Sequence, residues 1–189
     1  MRARSLPRRG VYHAGAQCAP LQAYNFCPIP HNTPKGGVRV WQVGVWEQNE
    51  GLLEYARRLS AEARVTGAEH PALLVGTQYD LLVVSPRAVG WAGAAALVCQ
   101  TILLPGSAGP LAGSLRAARA VSYGLNPRDT LTVSSMGGER ICVALQRGLI
   151  RLDGEVVEDQ EIVLPYSGEL PELVLAKVGM ELLLKKQTA

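Results

Sequence analysis

Two uninterrupted apolar runs near the middle of the chain constrain its fold more than any other feature. The first is Asp80–Ser85 (DLLVVS), which stops at Pro86, and the second is Ala95–Leu104 (AALVCQTILL), which stops at Pro105. Short apolar runs without polar alternation are typical of strands that are covered on both faces, as in a parallel sheet. These two runs therefore predict an α/β protein.

The segment before these runs predicts one strand and one helix. Val38–Trp46 alternates around β-branched and aromatic residues, which indicates a strand. Asn49 is the predicted N-cap of a helix whose apolar residues recur at helical spacing as far as Ala63, and Gly67 is its predicted end. Strands that alternate with helices favour an open sheet with parallel pairs.

The pattern changes after a second helix, which is predicted to open at Gly109 and Pro110 and to include Ala118. From there strands and tight turns alternate, and Pro171 begins a leucine-rich terminal helix. The further strands are predicted at 120–125, 130–136, 141–150 and 161–165. The predicted fold over residues 38–186 is a single domain with an open, mainly parallel sheet, antiparallel hairpins that extend it, and a closing C-terminal helix.

The first part of the chain differs from the rest in charge. Residues 1–46 carry +6 and no acidic residue, whereas the remainder carries −3, which together give the net charge of +3. Five of the twelve prolines fall within 1–37, where no apolar period is visible. We expect 1–37 to be a disordered or extended basic leader, and a misassigned start is the alternative. Because its cations do not gather on a folded face, no nucleic-acid partner is predicted.

The sequence lacks the usual catalytic and metal-binding patterns. His70 is the only histidine after the leader, and no G-x-S-x-G segment is present. Cys99 and Cys142 fall inside predicted strands, where buried structural thiols are expected. The leader also contains a pattern of histidines and cysteines whose spacing does not suit zinc, namely His13, Cys18, Cys27 and His31. Neither a metal nor a cofactor is predicted.

Three surface features bear on location and partners. Residues 88–115 lack charge, but glycine, alanine, Gln100 and Thr101 make a turn and a buried strand a better interpretation than a membrane span. We expect a cytoplasmic location. The acids within 153–161 are predicted to form a solvated edge.

A protein partner or a homo-oligomer is left open as a possibility. In that case, an exposed Trp91 and the leucine-rich terminal helix would be buried against the partner.

A glycine-rich turn after the second apolar run is the best candidate for a ligand site. Backbone amides at a helix N-terminus attract anions, and parallel strands bring their carboxyl ends to one edge. The turn matches neither G-x-G-x-x-G nor the phosphate loop that ends in lysine. The predicted site for a small anionic ligand, a nucleotide or a phosphosugar, comprises Gly106, Ser107, Gly109, Ser85, Arg87, Tyr123 and Asn126.

One segment resembles a known family. The run Val121–Thr132 (VSYGLNPRDTLT) is similar to the end of the central domain of Mur ligases, where a strand carrying Tyr-Gly-Leu leads into an antiparallel meander. The segment Ile162–Gly168 (IVLPYSG) and the apolar helix after it are similar to the next part of the Mur ligase chain. The similarity in pattern covers about residues 79–184 and extends to small bacterial proteins that share this tail. It implies a bacterial Mur-ligase-like α/β domain.

The departures from the Mur pattern limit what the resemblance implies. The family holds ATP on a loop that ends in Gly-Lys-Thr, and this sequence has no such loop. Glu169-Leu170-Pro171 stands where the family has its His-Asn pair, so no catalytic residue is carried over. The sequence therefore predicts a non-catalytic ligand- or protein-binding domain. A small enzyme that binds an anionic ligand at the strand ends is the alternative.

Overall fold

The structure of the chain is a computed structural model that describes residues 39–109 and 115–185. The predicted leader, residues 1–37, lies outside the described residues. So does the stretch 110–114, where the second predicted helix was to begin. The strands and helices are β1 (Trp41–Trp46), α1 (Leu52–Leu59), β2 (Ala63–Ala68), β3 (Gln78–Val84), β4 (Val98–Pro105), β5 (Arg116–Tyr123), β6 (Leu131–Gly137), β7 (Arg140–Leu145), β8 (Leu149–Ile150), β9 (Val156–Val157), β10 (Gln160–Pro165) and α2 (Pro171–Leu184).

Eight of these strands form one mixed sheet in the order β10-β7-β6-β5-β4-β3-β1-β2. The pairs from β2 to β6 are parallel, although β5 and β6 share only the pair Tyr123 and Leu131. Strand β7 runs antiparallel to both β6 and β10. The predicted fold class, a mainly parallel sheet with antiparallel hairpins and a C-terminal helix, is confirmed.

Both faces of the central strands are buried, which explains their continuous apolar sequences. Leu81 and Leu103 belong to a core cluster that includes residues of α1 and α2. Their neighbours Leu82 and Ile102 belong to a second cluster, which includes Leu74 and Leu97 from the connections on the opposite face. Because successive side chains of a strand point to opposite faces, two apolar layers require an unbroken apolar run.

The first helix is shorter than predicted, and its cap is different. Helix α1 ends at Leu59, and 63–68 forms the edge strand β2 beside β1. Asn49 does not cap α1; the N-cap position is Gly51, at φ 84°. Gly67 does not end a helix either. It lies so close to α1 that an added Cβ would stand 2.4 Å from Leu53 Cδ2.

Two later boundaries also differ from the prediction. Strand β5 begins at Arg116, so Ala118 belongs to a strand rather than to a second helix. The predicted strand 141–150 is divided into β7 and β8, and β8 pairs only with β9 in a separate two-stranded sheet. The predicted antiparallel hairpins are confirmed by β6 and β7, which are joined at Gly137 and Gly138, and the terminal helix from Pro171 is confirmed as well.

Trp91 and the terminal helix, the two features that the sequence suggests for contact with a protein partner, lie mostly inside the fold. Trp91 is half-buried, and its ring centroid lies 4.5 Å from that of Trp46. Helix α2 contributes residues such as Leu175 and Met180 to the core and is not an exposed apolar helix. The acids at 153–161 are exposed, as predicted, and one of them, Asp153, also lies 3.3 Å from the guanidinium of Arg151, whose side chain is 3% exposed.

Asp153→Asn is expected to lower the free energy of unfolding by about 2 kcal/mol, because a buried guanidinium loses its nearest counter-charge. Urea unfolding, followed by circular dichroism, measures the change. Asp159→Asn is the matched control, since Asp159 forms no salt bridge within the described residues and the same substitution there should change stability by less than about 0.5 kcal/mol. Equal effects of the two substitutions would contradict a stabilising role for the Arg151–Asp153 pair.

Candidate functional site

A cavity of about 460 Å³ opens at the carboxyl ends of β3, β4 and β5. It is bounded by the loop that joins β5 to β6 and by the first turn of α2. Ligands of open α/β sheets bind at this edge because the loops that come after parallel strands converge there. The lining residues are Pro86, Pro105, Gly106, Ser107, Tyr123, Gly124, Leu125, Asn126, Arg128, Asp129 and Glu172.

Four of the seven predicted site residues line this cavity. They are Gly106, Ser107, Tyr123 and Asn126. Ser85 and Arg87 flank the lining residue Pro86 without lining the cavity themselves; Ser85 is fully buried and its Oγ accepts a hydrogen bond from the Arg87 amide at 3.3 Å. Gly109 is exposed and lies outside the lining.

The carboxylate of Asp129 occupies the place that the sequence suggested for an anionic ligand. It lies against two glycines, since a Cβ on Gly106 would stand 2.0 Å from Oδ1 and a Cβ on Gly124 would stand 2.6 Å from Oδ2. Asp129 is 7% exposed, yet no donor within the described parts of the chain forms a hydrogen bond with its carboxylate. Both glycines therefore leave the space that the Asp129 carboxylate fills.

The loop from 124 to 130 holds Asp129 in that position through its own hydrogen bonds. The Asp129 amide donates to the Asn126 carbonyl at 2.9 Å, which closes a turn over 126–129. The Asn126 side chain accepts from the Arg128 amide at 2.9 Å, and Ser122 Oγ accepts from the Thr130 amide at 3.1 Å. The carboxylate is therefore fixed by the backbone and not by a partner of its own.

Further acidic groups surround the buried ring of Tyr123. Its hydroxyl donates to the Val84 carbonyl at 2.6 Å. Burial raises the pKa of Tyr123, and the negative charges of Glu50 and Glu172 raise it further. Among the described residues, one oxygen of each of these carboxylates, Glu50 Oε1 and Glu172 Oε2, is buried without a hydrogen-bond partner. The neighbourhood of Tyr123 is therefore negative and incompletely paired.

A carboxylate of the chain also occupies the N-terminus of α1. Strand β1 lies between β2 and β3, so the order of the strands along the sheet reverses beside β1. At such a topological switch point, the N-terminus of a helix is a common binding site for nucleotide phosphates. Here Glu47 accepts hydrogen bonds from the amides of Leu52 at 2.8 Å, Leu53 at 3.0 Å and Glu50 at 3.1 Å. These amides are consequently already paired.

Sequence reasoning missed the acids that give the site its character. Neither Asp129 nor Glu172 belongs to the seven residues that the sequence predicts for the site. The position of Glu47, between a buried strand and the start of a helix, indicates a helix cap and can be recognised from the sequence alone. No such signal marks Asp129, because its contact with Gly106 joins residues far apart in the chain.

Other chemistry is absent from this edge within the described residues. His70 Nδ1 accepts from the Ala72 amide at 3.3 Å in the connection between β2 and β3. Burial raises the pKa of the Cys99 thiol to about 12, which suits an unreactive core residue. Over 39–109 and 115–185, no group of three or more metal-binding side chains is arranged around one point. Neither α1 nor α2 has the length and apolar character needed to cross a membrane.

Comparison of the sequence with protein-family models and with curated proteins finds no match. The description of the site therefore depends on the residues themselves.

Glu47→Ala is expected to lower the free energy of unfolding by about 2 kcal/mol, because three amides at the start of α1 lose their acceptor. Chemical denaturation measures the loss. Glu54→Ala is the control: Glu54 is also near the start of α1, but it is exposed and contacts only its own helix, so a change below about 0.5 kcal/mol is expected. A Glu47→Ala protein as stable as Glu54→Ala would show that the cap contributes nothing.

Gly106→Ala is expected to destabilise the protein by about 1–3 kcal/mol, since the new methyl group must displace the Asp129 carboxylate. Gly109→Ala is the matched variant, because Gly109 has helical φ and ψ and nothing within 4 Å of an added Cβ. It should be neutral or stabilising by up to about 1 kcal/mol. Thermal unfolding compares the two, and an unchanged Gly106→Ala protein would contradict the close contact with Asp129.

Proposed function

We propose that the chain is a non-catalytic binding domain that takes a small ligand in the cavity at the carboxyl ends of β3, β4 and β5. The observation that carries this proposal is the convergence of polar groups on one concave site, where Ser107, Asn126, Asp129 and Glu172 meet a partly apolar wall. Binding sites in α/β proteins combine an apolar wall with a few polar groups in this way.

We also propose that the domain is a bacterial, cytoplasmic relative of the Mur ligase central domain. The segment that carries the resemblance supports this, because Tyr123, Gly124 and Leu125 all line the cavity. The free thiols of Cys99 and Cys142 suit a reducing compartment. A binding role is favoured over the enzyme alternative because the amides at the start of α1 are occupied by Glu47.

A ligand screen by thermal shift on the full chain tests this function. The probes are amino acids, amines, sugars, phosphosugars and nucleotides, each at millimolar concentration. At ten times its dissociation constant, a cavity ligand should raise Tm by about 3 °C. Incubation with ATP or a UDP-sugar should leave their phosphorus NMR spectra unchanged, and turnover would contradict the non-catalytic role.

Ser107→Tyr tests whether binding occurs in the cavity. Ser107 is an exposed lining residue, so the larger side chain should fill the cavity without disturbing the core, and the shift in Tm should disappear. Thr66→Tyr makes a comparable change at an exposed position on the edge strand β2 and should retain the shift. Compounds that stabilise both variants equally would show that this cavity is not the binding site.

A further inference from the structure

We propose that the cavity selects a small organic cation, a ligand that presents a protonated amine or a guanidinium group to Asp129. This inference depends on the proposed ligand-binding function and specifies the chemistry of its ligand. It reverses the charge that the glycine-rich turn alone suggests, and it begins from the state of the Asp129 carboxylate.

Asp129 combines burial with the absence of a partner. Its side chain belongs to a residue that is 7% exposed, lies between Gly106 and Gly124, and lines the cavity. Within the described residues no donor reaches its carboxylate. The carboxylate lines the cavity, so its oxygens can accept hydrogen bonds that no described residue donates. A ligand with charged N–H donors would supply those hydrogen bonds.

Glu172 is a second carboxylate of the cavity lining. It lies in the first turn of α2, and among the described residues its Oε2 is buried without a hydrogen-bond partner. The negative charges of Glu172 and Glu50 both raise the pKa of the lining residue Tyr123, so the surroundings of this residue are negative. An ammonium group has three donors and a guanidinium has five, so one ligand group can donate to more than one carboxylate oxygen.

The remaining lining fits the body of such a ligand. Pro86, Pro105 and Leu125 provide an apolar wall, and Arg128, the one cation among the described lining residues, is exposed. A phosphate in this cavity would face Asp129 and Glu172 without a buried cation. A metal ion is disfavoured because the described residues bring no set of three ligating side chains together. An organic cation needs only the two carboxylates and an apolar contact.

Amide chemical shifts of the full-length, ¹⁵N-labelled chain test this inference with matched fragments. Benzylamine, cyclohexylmethylamine and benzamidine are compared with benzoate, cyclohexanecarboxylate and phenyl phosphate. The cationic fragments are expected to shift the amides of Gly106, Gly124 and Asp129 with millimolar affinity. The anionic fragments are expected to leave the same amides in place.

Asp129→Asn identifies the group responsible. It preserves the shape of the side chain and is expected to weaken the amines at least tenfold, whereas Glu172→Gln should weaken them less. Glu158→Gln removes one charge from an exposed position outside the cavity and should change affinity by less than twofold. The amide spectra of all three variants are compared first with that of the unsubstituted chain to confirm the fold.

The outcomes separate this inference from the proposed function. If the anionic fragments shift these amides and the amines do not, the cation preference is wrong and a binding role survives. If amines bind equally to the Asp129→Asn variant, or if Mn²⁺ alone broadens these amides and amines leave them unmoved, the inference is also wrong. If no fragment and no compound of the thermal screen acts at this cavity, both proposals fail.

Discussion

The structure depends on burial of β3 and β4 on both faces. Leu81 and Leu103 face the helical layer while Leu82 and Ile102 face the connections opposite, so the two central strands hold both core clusters together. Parallel strands arranged in this way must end at a common edge, and their backbones turn there one after another. That edge is the place where the chain concentrates polar groups, because the interior on either side of the sheet is apolar.

At the carboxyl edge of this sheet, side-chain carboxylates of the chain itself lie where an anionic ligand could bind. A helix N-terminus at such an edge can bind an anion, whereas the amides at the start of α1 donate to the carboxylate of Glu47. Asp129 brings a second carboxylate against Gly106 and Gly124. Two features that would favour an anionic ligand, free amides and glycine-lined space, are therefore already occupied by acidic side chains.

Most of the fold was predictable from the sequence, and the character of the site was not. Apolar runs and prolines located β3, β4 and the start of α2, because both reflect burial or backbone geometry within a few residues. Strand β2 was missed because the spacing from Leu59 to Ala63 also fits a helix, and only its pairing with β1 decides between them. The role of Asp129 was missed because it depends on contact with Gly106, which sequence spacing does not reveal.

The unpaired carboxylates connect stability with function. A chain selected for folding alone gains by replacing a buried, unpartnered charge with a neutral side chain, since the charge weakens the folded state. Among the described residues, Asp129 lies beside a cavity without a donor to its carboxylate, and one buried oxygen each of Glu50 and Glu172 lacks a partner. A bound cation would donate to Asp129 and would be attracted by the negative charge of these groups. The acids at this edge are therefore the groups best placed to bind such a ligand.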